Sequence, residues 1–212
     1  MDGQMSATIQ TFLERAARGE NVYISDVRRA FSDAECSILC DLTLSVGGGK
    51  RWEIRVPAVA EQAEQDFVRE YFYATLYNIL STFGGSGMML AISPKDNFSK
   101  QLCETLDDVF QVRIPKSKRR GYGKCLNVTD RINAAMGMHP FSFVITQEEL
   151  PAAAAEEAHH SNAVIACRSA VEKANSATIC GIDIGGTDIK VVGISGGKIV
   201  AVKEYDLSLI HI

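Results

Sequence analysis

Three short β-branched runs near the C-terminus, each set off by glycines, leave that part of the chain little choice but a meander. Residues 178–182 (Thr-Ile-Cys-Gly-Ile) form the first run, and Ile189, Val191 and Val192 begin the second, which ends at Gly193-Ile-Ser195. Gly196-Gly197 turns the chain into a third run from Lys198 to Tyr205. Alternating apolar runs joined by glycine pairs are the signature of successive hairpins. The first turn is the informative one, because Asp183 stands just ahead of Gly185-Gly186 and Thr187-Asp-Ile-Lys190 follows.

Each residue type in that turn has a chemical use. Gly185 and Gly186 can take positive φ and carry no Cβ, so backbone N–H groups can approach phosphate oxygens. Thr187 adds a hydroxyl donor and Lys190 a compact positive charge. Asp183, fixed at a strand end, suits a hydrated Mg²⁺, which takes few carboxylate oxygens and keeps several waters. Two glycines alone would read as an ordinary hairpin. Asp-x-Gly-Gly-Thr-x-x-Lys between two strands, with another hairpin following, favours phosphate binding.

This pattern resembles the first phosphate motif of the superfamily of sugar kinases, heat-shock chaperones and actin. It is most similar to that of the ROK (repressor, ORF, kinase) sugar kinases, over about Ile179 to Asp206. The resemblance implies that the motif joins the first two strands of a ribonuclease-H-like domain. It implies ATP and Mg²⁺ as cofactors, with Asp183 helping to place the metal and Gly185, Gly186 and Thr187 facing the ATP phosphates. Lys190 completes the set of expected cofactor-binding residues. A hexose is the implied second substrate.

Phosphoryl transfer in these kinases also needs a second phosphate loop, an adenosine loop and a catalytic aspartate, and many ROK proteins carry a Cys/His zinc site. None of these follows Asp206, and no catalytic residue is expected within these 212 residues. The last six residues, Leu207 to Ile212, resemble the in-frame translation of a transposon-type sequencing adapter. The chain therefore reads as the front of a longer protein, inactive as a kinase by itself.

A net charge of -4 argues against nucleic acid or an anionic membrane as the main partner. No uninterrupted apolar run approaches membrane-spanning length, and Met1-Asp2-Gly3-Gln4 opens no secretory signal. The six cysteines, at 36, 40, 103, 125, 167 and 180, include no Cys-x-x-Cys pair. Buried free thiols in a reducing cytoplasm are the expectation.

Upstream, Met5, Ile9, Phe12, Leu13 and Ala16 recur at helical spacing, with Gly19 as a stop. Ser32-Asp-Ala-Glu35 has the form of a capping box and predicts a short helix. Ile38, Cys40, Leu42, Leu44 and Val46 alternate as a strand, and Gly47-Gly-Gly49 turns into Trp52, Ile54 and Val56. The longest helix is predicted over Val59 to Phe83, on a stripe including Phe67, Val68, Tyr71, Phe72, Leu76, Ile79 and Leu80, with Gly84-Gly85 ending it. Met88 to Ile92 reads as a buried strand, Asn97 to Phe110 as one amphipathic helix, Asn127 to Ala135 as another, and Phe141 to Ile145 as a strand.

The only basic cluster runs from Arg113 to Lys124. It reads either as an anion-contacting loop, with Gly121 and Gly123 admitting the ligand, or as a solvated loop balancing Glu104, Asp107 and Asp108. After Gln147-Glu-Glu149 the composition turns alanine-rich and polar, which marks a linker over 151–178, with a linking helix from Ala163 to Lys173. The expected organisation is an α/β or α+β domain over 1–150, with helices on a small mixed sheet, then the linker and the kinase-like start at 179–206.

Residues 1–150 show no Ser/His/Asp, Cys/His or paired-carboxylate constellation, and His139 reads as structural. For the longer protein the leading expectation is an ATP-dependent sugar kinase. The alternatives are a sugar-responsive ROK-type transcriptional regulator and an ATPase activator of the same superfamily.

Overall fold

The stripe of aromatic and aliphatic residues between Gln62 and Phe83 becomes α3, the helix on which the first part of the chain is assembled. Val68, Phe72, Leu76 and Leu80 are fully buried along it, and Tyr71 and Tyr73 nearly so. Gly84 ends the helix with φ 66°, a left-handed value that suits a residue without Cβ. The computed structural model describes residues 2–43, 49–93, 96–148, 165, 168–173, 175–185 and 188–206. It is a mixed α/β structure with two small sheets, and the chain divides into two compact units, Met1–Ala154 and Ala155–Ile212.

In the first unit α1 (Asp2–Ala17) and α2 (Ile24–Ala30) precede the hairpin β1 (Ser37–Thr43) and β2 (Gly49–Arg55). After α3 come β3 (Gly87–Ile92), α4 (Asn97–Glu104), α5 (Leu106–Val109), α6 (Leu126–Ala135) and β4 (Phe143–Thr146). The sheet order is β2-β1-β3-β4, antiparallel except for the β3–β4 pair. That parallel pairing requires a crossover, and α4 to α6 supply it.

Period-two alternation places one face of this sheet in the core. Ile38 of β1 lies in register with Ile54 on one side, and Ile38, Cys40 and Leu42 with Ile92, Leu90 and Met88 on the other. All seven are buried. The other face carries Asp41, Arg51 and Glu53, with Met89 more than a third exposed. Phe12 stacks on Phe67 at 5.9 Å and Phe31 meets Tyr71 edge-on at 5.0 Å, fastening α1 and the end of α2 to α3. Tyr71, Phe72 and Tyr73 of α3 are core and Phe67 and Tyr77 pack against it, as their spacing predicts, whereas Phe83 at the helix end is 40% exposed.

Two predicted helices are corrected. Ser32-Asp-Ala-Glu35 starts no helix: the Ser32 hydroxyl donates back to the Arg29 carbonyl at 2.8 Å, closing α2 instead of capping a new element. The stretch Asn97 to Phe110 is two helices, broken at Thr105. The Thr105 hydroxyl donates to the Gln101 and Leu102 carbonyls at 3.3 and 3.2 Å and also lies 2.7 Å from the Tyr73 hydroxyl. A side chain competing for its own helix's carbonyls favours a bend at that point. Asp96 caps α4, with Oδ1 accepting from the Phe98 N–H at 2.9 Å.

The basic segment forms two short 3₁₀ turns, Lys116–Lys118 and Gly121–Cys125. Two of its side chains, Arg119 and Tyr122, turn inward while Lys116, Lys118 and Arg120 stay exposed. The Arg119 side chain is 7% exposed, pairs with Asp130 and donates to the Ile114 carbonyl. Tyr122 packs against Tyr73, Tyr77 and Phe110 and donates to Glu70 at 2.5 Å. A Cβ on Gly123 would come within 2.9 Å of the Phe110 carbonyl oxygen, so this glycine serves close packing.

In the second unit residues 168–173 are helical, and β5 (Thr178–Ile184), β6 (Asp188–Ser195) and β7 (Lys198–Asp206) form an antiparallel meander in that order. Gly196 and Gly197, with φ of 55° and 72°, make the second turn. The expected strand positions Leu44 and Val46, the Gly47-Gly-Gly49 turn before its last residue, Pro151 to Asn162 and Leu207 to Ile212 lie outside the described residues. Among the described residues no helix is long and apolar enough to cross a membrane.

Candidate phosphate-binding hairpin

The β5–β6 hairpin is built by register. Asp183 pairs with Lys190 and Ile184 with Ile189, so the strands run together up to the turn. Asp183 is therefore the next-to-last residue of β5, held by the ladder with its side chain exposed. That is the strand-end position from which a carboxylate can reach a ligand held over the turn.

Asp188 closes the turn, and the sequence pattern does not single it out. Its carbonyl accepts the Gly185 N–H at 2.8 Å. A Cβ built on Gly185 would lie 3.0 Å from Asp188 Oδ1 and 3.3 Å from the Asp188 carbonyl. Gly185 is not among the positive-φ glycines, so close approach, not left-handed backbone, is what calls for glycine here. Gly186 and Thr187 lie outside the described residues.

Lys190 does not point freely at the turn. Its ammonium donates to Asp188 Oδ2 at 3.2 Å and lies 3.8 Å from Glu204 on β7. The Asp188 carboxylate, chiefly through that hydrogen bond, holds the Lys190 pKa above its usual value, with smaller contributions from Glu204 and Asp183. The meander thus sets Asp188 and Glu204 against Lys190, with Asp183 opposite it in register. Asp188 and Glu204 carry no motif signal; register alone brings Glu204 opposite Lys190.

The donor set suits a hydrated magnesium ion better than a stripped one. Among the described residues no group of three or more His, Cys, Asp or Glu side chains is arranged to hold a metal. One exposed carboxylate is what Mg²⁺ accepts when phosphate oxygens and water complete its octahedron. The described cysteines are free, with Cys36, Cys40, Cys103 and Cys125 buried and Cys180 exposed.

No family model matches the chain, and neither a curated protein nor a solved structure matches it.

Proposed function

We propose that residues 179–206 are the first phosphate motif of an ATP-dependent, ROK-type sugar kinase, which transfers a phosphoryl group from ATP to a hexose hydroxyl. The single observation that carries this reading is the hairpin itself. Asp183 is fixed at the end of β5, and the turn beside it is closed by Gly185 against Asp188, where a Cβ would come within 3.0 Å of the Asp188 carboxylate. Backbone N–H groups of such a turn are suited to phosphate oxygens. Asp183 would orient hydrated Mg²⁺, and that ion, when bound, supplies charge neutralisation at the phosphoryl group. Lys190 would lend positive charge near the phosphates.

The exposed apolar residues of the meander are consistent with the first strands of a ribonuclease-H-like domain. Ile182 and Ile184 alternate with Asp183 on β5 and are 63% and 72% exposed. Val202, in register with Val192 on the opposite face, is 68% exposed. Strands apolar on both faces suit a sheet covered on both sides. The regulator alternative draws its support from the basic loop, whose Arg119 is engaged inside the first unit.

The test is hexose phosphorylation by the complete protein that carries this hairpin, assayed with Mg²⁺ and ATP, against its Asp183→Asn variant. The amide keeps the size of the side chain and removes its charge. Turnover should fall on the order of 100-fold with the hexose KM little changed. A folded variant with near-normal kcat would reduce Asp183 to a strand-end residue. Nucleotide binding without hexose phosphorylation would favour the regulator or the ATPase activator.

A further inference from the structure

The first unit holds a pocket of about 350 Å³ that owes nothing to the hairpin, lined by Arg28, Ser32, Glu53, Arg55 and Tyr71. Its volume lies at the low end of the roughly 300–1,000 Å³ typical of small-ligand sites. It forms where α2 ends, where edge strand β2 ends and where α3 passes with Tyr71. We propose that this pocket binds the phosphate group of a small phosphorylated molecule, gripped between the guanidinium groups of Arg28 and Arg55.

Arg55 is held in place before any ligand arrives. It donates to the Ala34 carbonyl at 3.0 Å and pairs with Glu53. A guanidinium has five N–H donors, so others remain for a ligand. Arg28 lies beside the Tyr71 hydroxyl, on a ring that is 5% exposed and pinned edge-on by Phe31. The next residue, Arg29, pairs with Asp26, but no carboxylate among the described residues pairs with Arg28. Ser32 has its hydroxyl proton on the Arg29 carbonyl and serves only as rim.

Two guanidiniums against one carboxylate leave the lining with one positive charge in excess. The two arginines come from separate segments, so a ligand must offer oxygens in more than one direction. A tetrahedral phosphate does this; a planar carboxylate offers two oxygens in one plane. Glu53 sets the limit on affinity, because it shares Arg55 and repels the incoming anion.

Calorimetric titration of inorganic phosphate into the full chain, at fixed ionic strength and with acetate as the comparison, tests the proposal. Phosphate should bind saturably in the millimolar range at a site that depends on Arg28, apart from any binding at the hairpin, and acetate distinctly more weakly. Arg28→Gln should weaken phosphate binding on the order of tenfold. Glu53→Gln should strengthen it severalfold, a change of opposite sign that unfolding cannot imitate. Absence of saturable phosphate binding, acetate binding as tightly, or unchanged affinity in Arg28→Gln would each overturn the assignment.

Discussion

Gly185 and Asp188 are joined twice across the tip of the β5–β6 hairpin: the glycine N–H reaches the aspartate carbonyl at 2.8 Å, and its bare Cα leaves room for the aspartate side chain. Gly185→Ala tests how tight that fit is. The new Cβ would sit 3.0 Å from Asp188 Oδ1, which must move aside while its partner oxygen still holds Lys190. Overpacking costs about 1–3 kcal/mol, and removing a glycine from the unfolded chain returns about 0.4–1 kcal/mol. A small net loss of thermal stability is expected. A rise in Tm would show that the carboxylate swings away freely.

Lys190 is shared between Asp188 and Glu204, which makes its availability to a phosphate a competition. Asp188→Asn removes the nearer competitor and should tighten Mg²⁺–ATP binding severalfold, whereas Lys190→Met should weaken it. In the Lys190→Met background the Asp188→Asn gain should vanish, as a fluorescent-nucleotide titration of all four proteins would reveal. Tm should hardly move, since exposed ion pairs contribute little. A gain that persists without the lysine would mean Asp188 acts on the nucleotide by simple repulsion.

Elements set by local period were legible in the chain. The α3 stripe, its stop at Gly84, the β1–β2 hairpin and the meander each follow from apolar spacing and glycine position, and the structure has them. What escaped was set by partners distant in sequence. Ser32 turned its hydroxyl back to α2, and Thr105 broke a regular amphipathic pattern beside Tyr73, 32 positions away. Arg119 looked like one charge in a basic run until Asp130 and the carbonyl of Ile114 claimed it. At the hairpin, Asp183 and the glycines carried a motif, but Asp188 and Glu204 reach Lys190 only through the register of three strands.

Thr129 offers a stability test in the first unit. It is fully buried on α6, and its Oγ1 has no hydrogen-bond partner among the described residues. A buried polar group without a partner costs about 1–3 kcal/mol, and valine keeps the shape while removing the hydroxyl. Thr129→Val should therefore stabilise the protein by about 1 kcal/mol in a denaturant titration, at the lower end of that range. Destabilisation would show that the hydroxyl is satisfied in solution.

The buried thiols fix how stability should respond to alkali. Desolvation pushes Cys103 and Cys125 up to about 12 from an ordinary 9.0, and moves Cys40 further in the same direction. Their folded-state pKa lies above the unfolded one, so the neutral thiols contribute fully below about pH 9. That contribution is lost as pH rises towards about 12, because the unfolded chain releases the protons first. The chain should therefore show stability falling progressively through that window, with replacement of Cys103 by alanine making the fall shallower. Below pH 9 the same burial protects the thiols from alkylation, so among the described cysteines exposed Cys180 should react first with iodoacetamide in the native protein. Prompt labelling of Cys40 or Cys103 under native conditions would mean that the core around these thiols opens readily.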